Sequence, residues 1–131
     1  MMYIFDECMS SKLVEMMKQG GVQEICHATE LWPSGTLDEV FLPQIGTAGH
    51  ILVTRDPAMR RTTGKNGHLL TLKQYNVKVL FLPSMFFHMR ALAQASWVFD
   101  HWEKIVSGVR SLPDPFLAQI LPNGTLVLLS I

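Results

Sequence analysis

Two short apolar runs end in acids. Met1-Met2-Tyr3-Ile4-Phe5 leads into Asp6-Glu7, and Ile51-Leu52-Val53-Thr54-Arg55 leads into Asp56. Runs this short and apolar read as buried strands, and helix-like stretches lie between them, as the crossovers of a parallel sheet require. In such a sheet, strands 1 and 3 end at the same edge. The helix between strands 2 and 3, with Asp38 in its opening turn, starts there too. Ligands of open α/β sheets bind outside the carboxyl ends of the strands. Carboxylates that converge at that edge repel one another, and a divalent cation relieves the repulsion. Oxygen-only donors of this kind suit Mg²⁺ or Mn²⁺.

The rest of the chain supports the same layered reading. Ser10 or Ser11 caps a helix that runs to about Gln19, with Leu13, Met16 and Met17 on one face and Gly20-Gly21 ending it. Val22 to His27 is a second strand. Thr36 and Glu39 have capping-box spacing at the start of the next helix, and Asp38 in its first turn is favoured by the helix dipole. His68 to Gln74 is a short helix and Val77 to Leu82 a fourth strand. Pro83-Ser84 opens the longest helix, to about Val109, with a stripe from Met85 and His88 to Val109 and a second from Phe86 to Trp97. His88 reads as a core histidine. Asn123-Gly124 between Phe116–Leu121 and Thr125–Ile131 signals a hairpin. The expectation is one α/β domain over 1–131. It has a mostly parallel central sheet of about four strands with flanking helices over 1–110, and an antiparallel C-terminal β-hairpin over 111–131.

A chain of 131 residues with 48% hydrophobic content has room for one core. No apolar run reaches the roughly 18–20 residues of a membrane span, and the first apolar run is too short for a signal peptide. Two cysteines, Cys8 and Cys26, form no CxxC pair and read as small buried side chains. A reducing, cytoplasmic setting follows. Net charge is zero, but residues 1–50 hold seven acids and two bases, and residues 51–131 nine bases and four acids. Arg55, Arg60, Arg61 and Lys65 form a basic stretch beside the acids, suited to phosphate groups.

Other chemistries read poorly. No glycine follows the first strand, so no Rossmann loop is present. The five histidines lack zinc spacing. Acids beside Cys8 raise its pKa, the wrong direction for a nucleophile.

A strand ending in Asp6-Glu7, a helix opening at Asp38, and then Ile51-Leu52-Val53-Thr54-Arg55-Asp56 resemble, in that order, the short PIN-like family related to VapC-type toxins. The resemblance spans roughly residues 2–60. It implies a Mg²⁺- or Mn²⁺-dependent ribonuclease, the toxin of a type II pair restrained by an antitoxin protein. It assigns Asp6, Asp38 and Asp56 as catalytic metal ligands, Thr54 as the strand-end hydroxyl, and Glu7 as a second acid beside the metal. Arg55, Arg60, Arg61 and Lys65 would then contact RNA phosphates. The chain also departs from the pattern. The acid often found one residue after the position of Asp56 is replaced by Pro57, and no clear helix acid precedes Asp38. A second class therefore stands beside the first, a PIN-like protein that acts by association. The apolar long helix and the uncharged last strand are the expected surfaces for a partner or a homodimer.

Overall fold

Among the described residues six strands form one sheet in the order β2-β1-β3-β4-β5-β6. They are β1 (Tyr3–Phe5), β2 (Ile25–His27), β3 (Ile51–Thr54), β4 (Lys78–Phe81), β5 (Leu117–Ile120) and β6 (Leu126–Leu128). The first five run parallel, and β6 pairs antiparallel with β5. Among the described residues four α-helices flank the sheet: α1 (Ser11–Gln19), α2 (Asp38–Ala48), α3 (Leu69–Gln74) and α4 (Ala91–Val109). The computed structural model describes residues 1–56, 59 and 68–129.

Strand alternation divides the core between two faces. Tyr3, Phe5, Ile51, Val53, Leu80, Ala118 and Ile120 point to one side and pack against α1 and α4. Ile4, Cys26, Leu52, Val79, Phe81 and Leu117 point to the other and pack against α2 and α3. Burial on both faces explains why the strands read as unbroken apolar runs.

The sheet is larger than the sequence suggested. The hairpin is not an appendage, because β5 pairs in parallel with β4 and carries the sheet outward. Its turn forms as expected: Gly124 has φ of +84°, a conformation that glycine adopts without strain. The turn is then held by α4, with Trp97 Nε1 donating to Pro122 O at 2.9 Å and Lys104 Nζ to Asn123 O at 2.9 Å.

Three local expectations fail. The long helix does not run from Ser84. A 3-10 turn spans Ser84–His88, Met89 and Arg90 are extended, and α4 begins at Ala91. His88 therefore leaves the core stripe and is exposed. The capping box of α2 is absent: Leu37 is the cap residue, without a side-chain bond, and Thr36 Oγ1 donates instead to Pro33 O. Cys8 is exposed, and only Cys26 is buried. The Ser10 cap of α1 does form, accepting from Leu13 N at 3.4 Å.

Alpha-helix α2 lies close to the end of α3. A Cβ on Gly46 would stand 2.2 Å from the carbonyl oxygen of Tyr75, so only glycine permits this approach.

Candidate active site at the carboxyl edge

Strand order creates a crevice. From β1 the chain moves outward to β2 through α1 on one face, and from β3 it moves the opposite way to β4 through α3 on the other. The connections leaving β1 and β3 thus part to opposite faces at neighbouring strands, which is the topological switch point where α/β sheets bind ligands.

Asp6 and Thr54 meet in that crevice. Both are buried, at 7% and 0% exposure. Thr54 Oγ1 donates to Asp6 Oδ2 at 2.7 Å, and the same hydroxyl accepts from Asp56 N at 3.0 Å. Asp6 Oδ1 accepts from Glu7 N at 2.8 Å. One threonine hydroxyl therefore joins the acid after β1 to the backbone of the acid after β3. Each Asp6 oxygen keeps lone-pair capacity beyond these bonds.

Asp38 is the first residue of α2, a helix that begins at the same edge of the sheet. Burial raises its carboxyl pKa most; the charge of His68 acts against this, and Asp6, Asp56 and Glu39 add to the rise. Asp38 thus lies within the electrostatic field of Asp6 and Asp56. Asp38 also has a partner that the sequence did not reveal. His68, buried just before α3, places Nε2 2.8 Å from Asp38 Oδ2.

Glu7 is bonded to the loop before α2. Its carboxylate accepts from Gly35 N at 3.1 and 3.0 Å and from the Ser34 hydroxyl. The Ser34 bond first, then Gly35, holds its pKa below the usual range. Glu7 ties the loop before α2 to the end of β1, and so positions the helix that carries Asp38.

Cys8 Sγ lies 3.8 Å from Thr54 Oγ1. Desolvation of the sulfur, then Asp6, pushes the thiol up, so it is not an activated nucleophile. Arg55 is exposed, with its guanidinium 4.6 Å from the centroid of the Phe87 ring. Arg60, Arg61 and Lys65 lie outside the described residues.

The donor chemistry suits a hard divalent cation, and the crowding of like charges at Asp38 is what such an ion relieves. The side chains are not closed around a single point. Among the described residues, no three His, Cys, Asp or Glu side chains stand close enough to hold a metal ion together. His68 engages Asp38 Oδ2, which leaves Oδ1 as the oxygen that could face an ion.

In comparison with known proteins, the family described as PIN like domain matches residues 1–84. This span holds β1 to β4 and every acid of the crevice. No curated protein and no solved structure matches the chain.

Proposed function

Because this chain belongs to the PIN-like domain family, we propose that it is a metal-dependent ribonuclease and the toxin of a type II toxin-antitoxin pair. The family's fold is of the nuclease type. The observation that carries the reading is the Thr54 hydroxyl, which bonds the Asp6 carboxylate and the Asp56 backbone at the switch-point crevice where α2 also begins with Asp38.

Asp6, Asp38 and Asp56 would hold Mg²⁺ or Mn²⁺, which supplies an acidified water and neutralises charge on the phosphate. Thr54 keeps the Asp6 carboxylate in one orientation and fixes the backbone at Asp56. Arg55, with Arg60, Arg61 and Lys65 from the following segment, would contact the phosphates of single-stranded RNA. Such contacts hold the strand in register without reading its sequence.

A cognate antitoxin and a homodimer are the proposed protein partners, and the cytoplasm the proposed setting. Leu37, Val40 and Leu70, at 66%, 48% and 66% exposure, form apolar surface at the starts of α2 and α3. Among the described residues β6 is an edge strand, and it carries no charge to deter pairing by another chain. The long helix supports association less than its sequence suggested, since Trp97, Val98, Trp102, Ile105 and Val109 are buried. Among the described residues, no helix is long and apolar enough to cross a membrane.

A second reading, a PIN-like protein acting by association, is favoured by the His68–Asp38 contact and by Pro57 in place of an acid. The test is cleavage of single-stranded RNA by purified protein in Mg²⁺ or Mn²⁺, beside the variant Asp56→Asn. Cleavage that the variant loses while still folded supports the nuclease. Equal cleavage by both proteins, or none by either, rejects it and leaves the second reading.

A further inference from the structure

We propose that the cavity beside Arg55 is a nucleobase subsite, which seats one unpaired base of the RNA strand whose phosphate lies at the carboxylates. This rests on the nuclease reading and adds to it a place where the strand is read.

The cavity measures about 460 Å³ and is lined by Arg55, Leu82, Ser84, Phe87, His88 and Gln119. A water occupies roughly 30 Å³, and small-molecule sites start at about 300 Å³, so the space suits an organic ring system. It opens on the β4–β5 side of the carboxyl edge. Arg55 connects it to the acids, being flanked in sequence by Thr54 and Asp56.

Gln119 supplies a directional polar atom. Its Nε2 donates to Phe81 O at 3.1 Å, Leu82 O at 3.2 Å and Ile120 O at 3.0 Å. Three carbonyl oxygens can only face the NH₂ end of an amide, so the amide orientation is unambiguous. The NH₂ group is fully committed, which leaves Oε1 as the side-chain atom still able to bond, on a residue that lines the cavity. Among the described residues Oε1 has no partner. It is an acceptor already held in place, so little side-chain freedom is lost when it binds a donor. Nucleobases carry such donors as amino or ring N–H groups.

Phe87 and Arg55 supply the stacking surface. Phe87 stands edge-on against Phe86, with ring centroids 5.2 Å apart, and Phe86 is buried. The exposed Arg55 guanidinium lies over the Phe87 ring, 4.6 Å from its centroid, so an aromatic ring and a guanidinium stand together at the cavity. Bases of single-stranded RNA stack on aromatic rings and on guanidinium planes. Among the described residues that line the cavity there is no carboxylate, so a strand carrying phosphates meets no repulsion there.

Binding is tested in EDTA, so that cleavage plays no part. Fluorescence anisotropy compares a labelled RNA pentamer of uridines with an abasic pentamer of the same charge. Wild type is expected to prefer the base-containing strand by at least ~5-fold, the lower end of single-base stacking. Phe87→Ala should remove that preference, with base-containing binding falling more than abasic binding. N3-methyluridine, which lacks the only N–H of the uracil ring, should bind wild type more weakly than uridine does. Gln119→Leu should abolish that difference. Gln119 bridges β4 and β5, so its variant is read only if it melts cooperatively, and Phe87→Ala decides otherwise. Equal binding of the two pentamers by wild type, or an equal loss of both in Phe87→Ala, overturns the subsite. A protein that cleaves RNA without base preference keeps the nuclease and loses the subsite. One that shows the preference but never cleaves keeps the subsite and loses the nuclease.

Discussion

Thr54 Oγ1 donates to Asp6 Oδ2 at 2.7 Å, joining the ends of two neighbouring parallel strands from positions 48 residues apart in the chain. Both residues are buried, so the bond stands in for water at a carboxylate with little access to solvent.

Replacing Thr54 with valine keeps the shape and removes the hydroxyl. Asp6 Oδ2 and Asp56 N then lose a partner together. The expected cost is about 1–3 kcal/mol of stability, measured by urea unfolding. If the protein is a nuclease, its rate should also fall about 10–100-fold, as for residues that orient metal ligands. Unchanged stability in Thr54→Val would show that the hydroxyl holds nothing together.

The raised pKa of Asp38 predicts a pH effect with a definite sign. The native state keeps the Asp38 proton to higher pH than the unfolded chain does. Its contribution to stability is therefore complete below the ordinary aspartate range and is lost as pH rises through the raised value. Asp38→Asn does not titrate, so the stability of wild type should drop relative to this variant across that window. Above it, Mg²⁺ or Mn²⁺ should raise the melting temperature of wild type more than that of Asp38→Asn. Equal shifts in the two proteins would remove Asp38 from the set of metal ligands.

Gly46→Ala should destabilise the fold. Its Cβ would meet the backbone oxygen of Tyr75, which cannot rotate away. About 1–3 kcal/mol is expected, the usual cost of overpacking. A melting temperature equal to wild type would mean that α2 and α3 separate freely.

Tyr3→Phe should behave in the opposite way. The Tyr3 hydroxyl is buried and has no hydrogen-bond partner among the described residues. The ring itself packs edge-on against Trp102, with centroids 5.0 Å apart, and phenylalanine preserves this. Removing the hydroxyl should leave stability unchanged or raise it by up to ~1 kcal/mol. A clear loss in calorimetry would mean that the hydroxyl has a partner.

The elements that sequence could supply are those whose signals are local. Ser10 caps α1 where a serine before an amphipathic run should, and Asn123-Gly124 makes the hairpin turn. Local signals failed where two of them competed. At residues 36–39, Thr36 bonds back to Pro33 rather than forward to the helix. At residues 84–90 the apolar stripe continued while the backbone did not, so a 3-10 turn and an extended pair stand where one helix was expected.

By itself the sequence determined that the chain is an α/β layer with its acids at one sheet edge. Parallel strands all end on the same side, and apolar runs mark where they end. Tertiary structure alone decided which acid meets which partner. Glu7 follows Asp6 directly, yet its carboxylate goes to Ser34 and Gly35, while Asp38 takes His68 from 30 positions away. Gln119 acquires its fixed orientation only because β5 lies beside β4. Side-chain hydrogen bonds and charge pairs reach a few ångströms through space, and that neighbourhood is created by strand order and crossover, not by adjacency along the chain.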